Sequence, residues 1–349
     1  MKKKFDFGIC GAFDFEEKTT GGQSVKTREF YLALKDKIPE NRIRILESTM
    51  CRKNPTSFFI QILRMMFSCS QVIIFPAQNG IRVLAPLLVL LRRATHTKIH
   101  YSVIGGWLPC LAEQNKKLRK ALLQFDCIFV ETNFMKTELE KMGFSNVYQL
   151  ENFKRLQAVR EEEVCEVGNP VKLCFFSRVI KEKGIEDAVK VVKRVNREQG
   201  KKMCVLDIYG PVIASYQEEF IALQNTFSDE IRYCGKIHPS ESIYTLKKYD
   251  IQVFPTQYAT EGIPGSIVDS YFAGVPVLAS RWNSFHDVVE EGITGIGFVL
   301  GDPEDFYEKL CGMLQDTDKL KAMKINCLLA SRKYAPEAGI EKMLQIVNR

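Results

Sequence analysis

The sequence predicts an α/β protein made of two successive domains, each with a parallel β-sheet covered by helices. Short apolar runs alternate with segments of helical periodicity along almost the whole chain, as expected for repeated strand–helix units. A charged segment at residues 153–170, ending in Gly-Asn-Pro, interrupts this alternation and is the best linker candidate. At 349 residues, the chain has the length of two domains of comparable size.

The first half begins the alternation directly after three lysines. Its apolar runs predict strands at residues 5–10, 71–75, 98–106, 127–132 and 146–150. Helical periodicity predicts a loop and helix at 21–38 and helices at 117–125 and 133–144, the last with Asn133 as N-cap and Gly143 as its terminal glycine. Because helices separate the strands, parallel pairing is expected. The predicted first domain spans residues 1–160.

The second half repeats the pattern. Strands are predicted at residues 171–177, 203–210, 230–235, 251–255 and 275–280. Helices are predicted at residues 185–200, 218–227 and 240–249, and from Ser266 to a glycine stop at Gly274. These elements define a second domain at residues 161–330, and a last helix at residues 331–349 is expected to pack back on the first domain.

Composition excludes several classes of protein. Hydrophobic residues at 46% and charged residues at 26% are typical of a soluble globular protein. Eleven cysteines without a C-x-x-C pair argue against a disulfide framework and a zinc site, and favour a reducing cytosol. The start, MKKKFDFGIC, indicates a first strand and not a signal peptide. No transmembrane helix is predicted, because the longest apolar stretch, residues 83–91, has nine residues, whereas a bilayer-spanning helix needs about 20.

Charge is distributed unevenly between the halves. Residues 1–160 contain 26 Lys and Arg against 14 Asp and Glu, whereas residues 161–349 contain 23 against 28. The first half therefore carries a net +12 and the second −5. Such a basic half either faces an anionic partner or is a solvated basic surface. Nucleic acid is not the expected partner, because no nucleic-acid-binding motif accompanies the basic residues.

One stretch, TEGIPGSIVDSYFAGVPVLAS at residues 260–280, combines a strand end, a loop and a helix start. Parallel sheets bind ligands at the carboxyl ends of their strands, and helix N-termini attract anions. Glu261 and Asp269 flank that helix start, and carboxylates accept hydrogen bonds from sugar hydroxyls. A nucleotide sugar offers phosphates flanked by two sets of hydroxyls and would match this pattern. The alternative is an ordinary loop with a solvent-exposed glutamate and a helix-surface aspartate.

Two further loops have the composition of anion sites. Arg178 and Lys183 follow the predicted strand 171–177, with Gly184 at the turn, and could hold a diphosphate between them. Gly21 and Gly22 precede a helix and would allow a phosphate to approach the backbone. Each pattern alone is also compatible with a solvated surface or a simple turn. The G-x-G-x-x-G dinucleotide fingerprint and an acidic pair for a metal-bound diphosphate are both absent from the sequence.

Taken together and in order, five segments resemble the family-4 retaining glycosyltransferases of GT-B fold, of the bacterial polysaccharide- and glycolipid-assembly type. They are GGQSVKTREFYLAL, FFSRVIKEKG, DIYGP, EGIPGSIVDSYFAGVPVLAS and EEGITGIGF. The resemblance covers essentially the whole chain, and the second half carries the more specific motifs. It implies two Rossmann-like domains facing across a cleft, with an acceptor-binding first domain and a donor-binding second domain.

The resemblance also implies roles for individual residues. Arg178 and Lys183 would hold the donor diphosphate, and Glu261 would bind hydroxyls of the transferred sugar. The residues expected to contact the donor are Gly21, Gly22, Gly210, Ile263, Pro264, Gly265, Ser266 and Asp269. In this family the loop corresponding to Gly21 and Gly22 covers the phosphates when the domains close. Gly105, Gly106 and Trp107 would lie on the acceptor side.

The sequence departs from the family pattern at two positions. Asp269 stands where the family usually has glutamate, so its reach toward a ribose is one methylene shorter. Ile104 stands where the family often has histidine, and His100, four residues earlier within a strand, is interpreted as a structural residue.

By this resemblance the chain is expected to transfer a sugar, with retention and without a metal or cofactor, from a nucleotide sugar, such as a UDP-sugar, to a glycan or polyprenyl-linked acceptor in cell-surface polysaccharide biosynthesis. The expected location is cytoplasmic, with the first domain docked on the anionic inner face of the cell membrane. Apolar segments at residues 57–67 and 81–93 suit such docking or are buried sheet-covering helices. In the first segment, Phe59, Ile62, Leu63 and Met66 are predicted to share one helical face, with Arg64 outside it. Alternatives are a non-catalytic GT-B protein that binds sugar nucleotides and another GT-B enzyme, such as a sugar-nucleotide epimerase.

Overall fold

A computed structural model describes residues 3–16 and 21–348. The chain divides into two compact units. The first unit comprises Met1–Arg155 and Lys333–Arg349, and the second comprises Leu156–Arg332. Each unit is built around its own six-stranded sheet, in which every pair of neighbouring strands is parallel.

The first sheet contains the strands β1 to β6 in the order β2-β1-β3-β4-β5-β6. The strands are β1 Phe5–Gly11, β2 Ile43–Glu47, β3 Cys69–Ile74, β4 Lys98–Ser102, β5 Cys127–Val130 and β6 Val147–Gln149. Most of their residues are buried, as expected for strands covered on both faces. The chain passes from β1 to β2 on one side and then crosses to β3 on the other, so the strand order reverses between β1 and β3.

Eight helices of the described chain flank the first sheet. They are α1 Gly22–Lys35, α2 Met50–Lys53, α3 Pro55–Ser68, α4 Gln78–Thr95, α5 Leu108–Gln114, α6 Lys116–Leu122, α7 Asn133–Lys141 and the C-terminal α15 Pro336–Val347. One face of the sheet packs against α3 to α7, and the other packs against α1 and α15. Leucine, isoleucine, phenylalanine and methionine at helical spacing form both layers.

The second sheet contains β7 to β12 in the order β12-β11-β10-β7-β8-β9. The strands are β7 Val171–Phe176, β8 Cys204–Tyr209, β9 Ile231–Gly235, β10 Ile251–Phe254, β11 Val277–Ser280 and β12 Gly295–Phe298. The helices are α8 Ile185–Gln199, α9 Gln217–Gln224, α10 Ser242–Leu246, α11 Gly265–Phe272, α12 Phe285–Val288, α13 Pro303–Gln315 and α14 Thr317–Ser331. Here the strand order reverses between β7 and β10.

The unit boundary lies between Arg155 and Leu156, whereas the sequence predicted residues 160 and 161. Phe153 belongs to the first unit, where its ring packs against Phe30 and lies close to Gly339 of α15. The backbone N–H of Val159 already donates to the carbonyl of Phe272 in the second unit. At the other end the first unit resumes at Lys333, two residues after the predicted position 331.

The two strands β2 and β12 were not predicted from the sequence. In β2 only Ile43 and Leu46 are buried, so it lacks the continuous apolar run of the other strands. An edge position explains this pattern, because β2 pairs with β1 alone. Another difference is the strand predicted at residues 98–106, which ends at Ser102 because a loop with Gly105 at φ +78° follows.

Candidate functional site

The residues predicted to bind the donor diphosphate and sugar follow the two strands between which the second sheet reverses. Arg178 and Lys183 lie in the loop between β7 and α8, and Glu261 lies in the loop between β10 and α11. Because β7 and β10 are parallel neighbours, their carboxyl ends lie side by side. This edge of an α/β sheet is where ligands bind. The topology therefore brings together residues that lie about eighty positions apart in the sequence, 78 in the case of Lys183 and Glu261.

A glycine allows the two loops to touch. Gly184 follows Lys183, adopts φ +71° and precedes the first residue of α8. A Cβ atom at this position would lie 1.9 Å from the carbonyl oxygen of Pro255, in the loop after β10. The loops are also joined by a hydrogen bond of 2.8 Å from the backbone N–H of Gln257 to the carbonyl of Glu182. No larger residue fits Gly184 without separating the loops.

Lys183 and Glu261 form an ion pair at the centre of this edge. The Lys183 ammonium donates to Glu261 Oε1, and the hydroxyl of Thr256 donates to the same oxygen at 2.9 Å. The lysine side chain is 9% exposed and the glutamate side chain 16%. Within the described chain, Glu261 Oε2 has no hydrogen-bond partner. One carboxylate oxygen thus holds the lysine, and the other is available to a ligand.

Aromatic rings surround the lysine ammonium. The Lys183 Nζ atom lies 4.9 Å from the ring centroid of Phe254 and 5.6 Å from that of Tyr258. Both distances are in the range of cation–π attraction. The ion pair and the rings leave an ammonium hydrogen for another acceptor, because Lys183 has three N–H groups and donates one to Glu261.

Arg178 is exposed and forms no ion pair with a carboxylate of the described residues. Its charge nevertheless acts on Tyr258. Burial raises the pKa of the Tyr258 phenol and the charge of Glu182 raises that pKa further, whereas Arg178 opposes both effects. Arg178 therefore lies within electrostatic range of the ring that covers Lys183. The two predicted cations share one region of the second unit, one held by an ion pair and the other accessible to solvent.

The helix α11 begins at Gly265, and Pro264 precedes it with an extended backbone. Ile263 and Pro264 are buried, whereas Ser266 is half-buried. Asp269, in the second turn, is also buried. The residues of α11 from 267 to 272 are all buried, because α10 and α14 pack around the helix. The alternative interpretation, which placed Asp269 on the surface of the helix, is therefore wrong.

Gly210 follows β8 at the same edge and adopts φ +139°. A Cβ atom here would lie 1.8 Å from the carbonyl oxygen of Ser177, the residue after β7. Gly210 also bridges to the next strand, since its N–H donates to the Gly235 carbonyl at 3.0 Å and its carbonyl accepts from the Tyr233 hydroxyl at 2.9 Å. Its role in the structure is close packing of the strand ends beside Arg178.

In the first unit, Gly21 precedes α1 and Gly22 is the first residue of that helix. A Cβ atom at either glycine would meet no atom of the described residues within 4 Å. The next residue, Gln23, donates from its amide to the carbonyl of Phe75 at 2.8 Å. Since Phe75 directly follows β3, the glycine pair lies at the point where the first sheet reverses its strand order.

Gly105, Gly106 and Trp107 form the loop between β4 and α5, and Trp107 is half-buried against the core of the first unit. A lysine of α1 ties this loop to the glycine pair. Lys26 donates to the carbonyl of Val103 at 2.6 Å and to Glu131 Oε1 at 2.7 Å. The structure thus groups the predicted acceptor-side loop and the predicted phosphate loop at one edge of the first sheet.

His100 has the structural role that the sequence indicated. Its ring is fully buried, and Nε2 lies 3.0 Å from the side-chain oxygen of Gln71. Burial lowers the pKa of His100 to about 4, although the charge of Asp126 raises it in part. A neutral, enclosed imidazole of this kind cannot act on a substrate.

Sequence reasoning missed four side chains that complete these sites. Thr256, Phe254 and Tyr258 surround the Lys183–Glu261 pair, and Lys26 joins two loops of the first unit. Position offers the only signal for the first three, because Phe254 ends β10 and the other two lie in the loop that carries Glu261. For Lys26 the sequence holds no signal, since its partner Glu131 lies 105 residues away.

Residues 170–316 match the family model described as Glycosyl transferases group 1. The match covers most of the second unit and includes Arg178, Lys183, Glu261 and Asp269. The chain is also 22% identical over 181 residues to the uncharacterized glycosyltransferase MJ1069 of Methanocaldococcus jannaschii, covering 50% of this chain and 44% of that protein. The chain spans about half the length of the relatives that it matches in sequence.

Solved structures match almost the whole chain. Alr3699/HepE from Anabaena, in complex with UDP and glucose, superposes with a TM-score of 0.73 at 11% identity and covers 99% of both chains. Sucrose-phosphate synthase from Thermosynechococcus elongatus superposes with a TM-score of 0.75 at 12% identity, over 99% of this chain and 98% of that one. The chain adopts the GT-B fold. At these identities the likeness establishes the fold, and the chemistry depends on the residues described above.

Proposed function

We propose that the chain is a retaining glycosyltransferase that transfers a sugar from a nucleotide sugar, a UDP-sugar in the first instance, to a glycan or lipid-linked acceptor. The observation that carries this proposal is the Lys183–Glu261 pair at the carboxyl edge of β7 and β10, where the second sheet reverses. The match to the glycosyl transferases group 1 model over residues 170–316 supports it. So does the GT-B likeness to a protein solved in complex with UDP and glucose.

The two cations would hold the diphosphate. Arg178 is accessible and can bind phosphate oxygens through two parallel N–H groups, whereas Lys183 acts as a fixed point charge. As the bond between sugar and nucleotide breaks, negative charge grows on the leaving phosphate, and prepositioned cations stabilise that charge. The proposal needs no metal for this step, because the two side chains supply the positive charge.

Glu261 would have two tasks. Its Oε1 atom positions Lys183, and Oε2, which has no partner in the described chain, would accept hydrogen bonds from hydroxyls of the sugar. The segment Ile263, Pro264, Gly265 and Ser266 would lie beside the phosphates at the positive end of α11. Asp269 would bind the ribose. Gly210 would keep the strand ends close beside Arg178.

The first unit would bind the acceptor. Gly105, Gly106 and Trp107 form the loop that we assign to this task, and Gly21 and Gly22 would lie over the donor phosphates. Both groups occupy the edge of the first sheet that Lys26 holds together. A glycan or lipid-linked acceptor would place the reaction in cell-surface polysaccharide assembly.

A thermal-shift panel of nucleotides and nucleotide sugars tests the donor proposal, because a ligand that binds only the folded state raises the melting temperature. We expect one nucleotide and its sugar conjugates to raise the melting temperature, and the sugar conjugate to raise it further. The effective donor is then incubated with candidate glycan and polyprenyl-linked acceptors, with and without EDTA, and the anomeric configuration of the product is read by NMR. Inversion, or loss of transfer in EDTA, would contradict the proposed mechanism.

The alternatives give different outcomes in the same assays. A non-catalytic binder would show the thermal shift but neither transfer nor nucleotide release. An epimerase-type enzyme would release the nucleotide and a sugar of altered configuration. It would form no glycoside, whatever acceptor is present. If no nucleotide or nucleotide sugar shifts the melting temperature, the donor site itself is wrongly assigned.

A further inference from the structure

The helices α3 and α4 lie side by side over the first sheet, and each buries one face and exposes another. The buried face of α3 contains Phe58, Ile62, Met65 and Met66. The exposed face is apolar as well. Six of the sixteen large hydrophobic side chains that are exposed in the described chain lie on these two helices: Phe59, Ile60, Leu63, Phe67, Val83 and Leu90. The sequence predicted Phe59 and Leu63 to lie on the same face as Ile62 and Met66, whereas the structure exposes the first two.

Helical geometry gathers these exposed residues into stripes. On α3, residues 59, 60, 63, 64 and 67 lie within an arc of about 140°, at about 100° per residue. On α4, Val83, Leu87, Leu90 and Ala94 recur at the spacing of a single face, with Leu87 half-buried. Phe67 is 58% exposed and Leu90 62%, so neither is covered by its own unit. We call these two stripes and the cations that border them the α3–α4 surface.

The segment that contains these two helices has positively charged side chains and no negatively charged ones. Residues 48–112, a run of sixty-five, contain no Asp or Glu, although the whole chain has 42 in 349 residues. Arg64 borders the stripe of α3, and Arg82 and Arg93 border that of α4. Neither these three arginines nor Arg52 and Lys53 of α2 form an ion pair within the described chain. The adjoining α6 exposes Lys116, Lys117 and Lys120.

From the exposed stripes and their unpaired cations we infer that the α3–α4 surface docks on a lipid bilayer that contains anionic lipid. Apolar side chains that border cations on a surface helix suit insertion at the boundary of head groups and acyl chains. A second copy of this surface would bring like charges together, so the charge opposes self-association. Nucleic acid would attract the cations but gain nothing from the apolar stripes. A peripheral contact is implied, since none of the described helices is long and apolar enough to cross a membrane.

The test is co-sedimentation of the full chain with vesicles, either of phosphatidylcholine alone or of phosphatidylcholine with phosphatidylglycerol, over a series of salt concentrations. We expect binding to the mixed vesicles that weakens as salt increases, and little binding to phosphatidylcholine. The variant Leu63→Ser/Phe67→Ser/Leu90→Ser should bind at least about tenfold more weakly, because three exposed apolar side chains no longer enter the bilayer. The variant Arg64→Gln/Arg93→Gln should bind about 25-fold more weakly, because each cation near an anionic surface contributes about fivefold (~1 kcal/mol).

Matched variants of the second unit control for general effects of surface changes. Ile221→Ser/Val299→Ser/Leu329→Ser removes side chains that are 47%, 52% and 53% exposed. Lys201→Gln/Lys319→Gln removes two exposed cations. Both controls should bind like the wild type, and thermal unfolding should show that all four variants are folded.

Three results would overturn the inference: no binding, binding that does not depend on lipid charge or salt, or equal losses of vesicle affinity in the test and control variants. Sedimentation equilibrium without vesicles adds a fourth. A dimer that dissociates in the Leu63→Ser/Phe67→Ser/Leu90→Ser variant would show that the surface binds a second copy. None of these measurements uses a nucleotide sugar, so their failure leaves the proposed donor site intact, and the reverse also holds.

Discussion

The ammonium of Lys183 and the carboxylate of Glu261 form an ion pair across the gap between two loops, one following β7 and the other following β10. The pair is largely buried, with side-chain exposures of 9% and 16%. Removing one partner of a buried ion pair destabilises the folded state, because the remaining charge is still desolvated but no longer has an opposite charge beside it. Substitutions here therefore affect both stability and the proposed chemistry, and tests have to separate the two.

Replacing either cation should lower turnover. Arg178→Ala and Lys183→Ala are each expected to reduce kcat at least about 100-fold, the scale of losing one group that stabilises developing charge. Arg178→Ala should leave the melting temperature unchanged because Arg178 is exposed, whereas Lys183→Ala should lower the free energy of unfolding by ~3 kcal/mol. Lys181→Ala, an exposed lysine of the same turn, is the control and should retain activity. Near-normal turnover in both test variants would remove the diphosphate assignment.

Substitutions of the two carboxylates should have different effects on sugar transfer and on nucleotide affinity. Glu261→Gln is expected to reduce sugar transfer far more than it reduces affinity for the free nucleotide, because Glu261 is assigned to the sugar. Asp269→Asn should show the opposite bias. Calorimetric titration with the nucleotide and with its sugar conjugate measures both affinities. Equal losses of both affinities in each variant would mean that the roles of the carboxylates are wrongly divided.

The contact between the two loops should depend on Gly184. Gly184→Ala is expected to lower the free energy of unfolding by at least ~3 kcal/mol, because the new Cβ would lie 1.9 Å from the Pro255 carbonyl oxygen. Nucleotide affinity should fall with it, since Lys183 precedes this glycine. Gly200→Ala is the matched control. Gly200 has a similar φ of +63°, but no atom of the described residues lies within 4 Å of a Cβ placed there. Gly200→Ala should therefore lower the free energy of unfolding by only ~1 kcal/mol, the cost of the backbone conformation, as measured by urea unfolding.

Stability should fall in mild acid because of His100. The pKa of this buried imidazole is lowered to about 4, whereas in the unfolded chain it is about 6.5. Between these values the unfolded state binds a proton that the folded state does not, so lowering the pH favours unfolding, by an amount of order 3 kcal/mol at pH 4. His100→Gln keeps an amide for Gln71 and has no such titration. Between pH 6.5 and pH 4, the free energy of unfolding of this variant should decrease by less than that of the wild type. Equal decreases would contradict the prediction.

The sequence predicted which strand each donor-site residue follows. Arg178 and Lys183 follow an apolar run that became β7, and Glu261 follows one that became β10. The parallel arrangement was also predictable, because helices separate the strands. Local patterns suffice here, since a buried strand, a glycine stop and a loop each depend on neighbouring residues.

The sequence did not indicate which side of a helix is exposed when both sides are apolar. On α3, Ile62 and Met66 are buried, whereas Phe59 and Leu63 are exposed, although periodicity alone placed all four on one face. In α11 the polar residues are buried as well, since Ser270 is fully buried and donates to Gln252. Burial depends on how many elements surround a helix, which is a property of the assembled unit.

The sequence by itself determined the alternation of strands and helices, the two-domain plan and the residue types at the ends of β7 and β10, because all of these follow from short-range patterns of apolar residues, glycines and charges. Only the tertiary structure decided that Lys183 contacts Glu261, that Lys26 contacts Glu131 and that the stripes of α3 and α4 face outward. These pairs lie 78 and 105 residues apart. Their contacts arise from strand order, and strand order is set by the packing of whole sheets and not by any local segment.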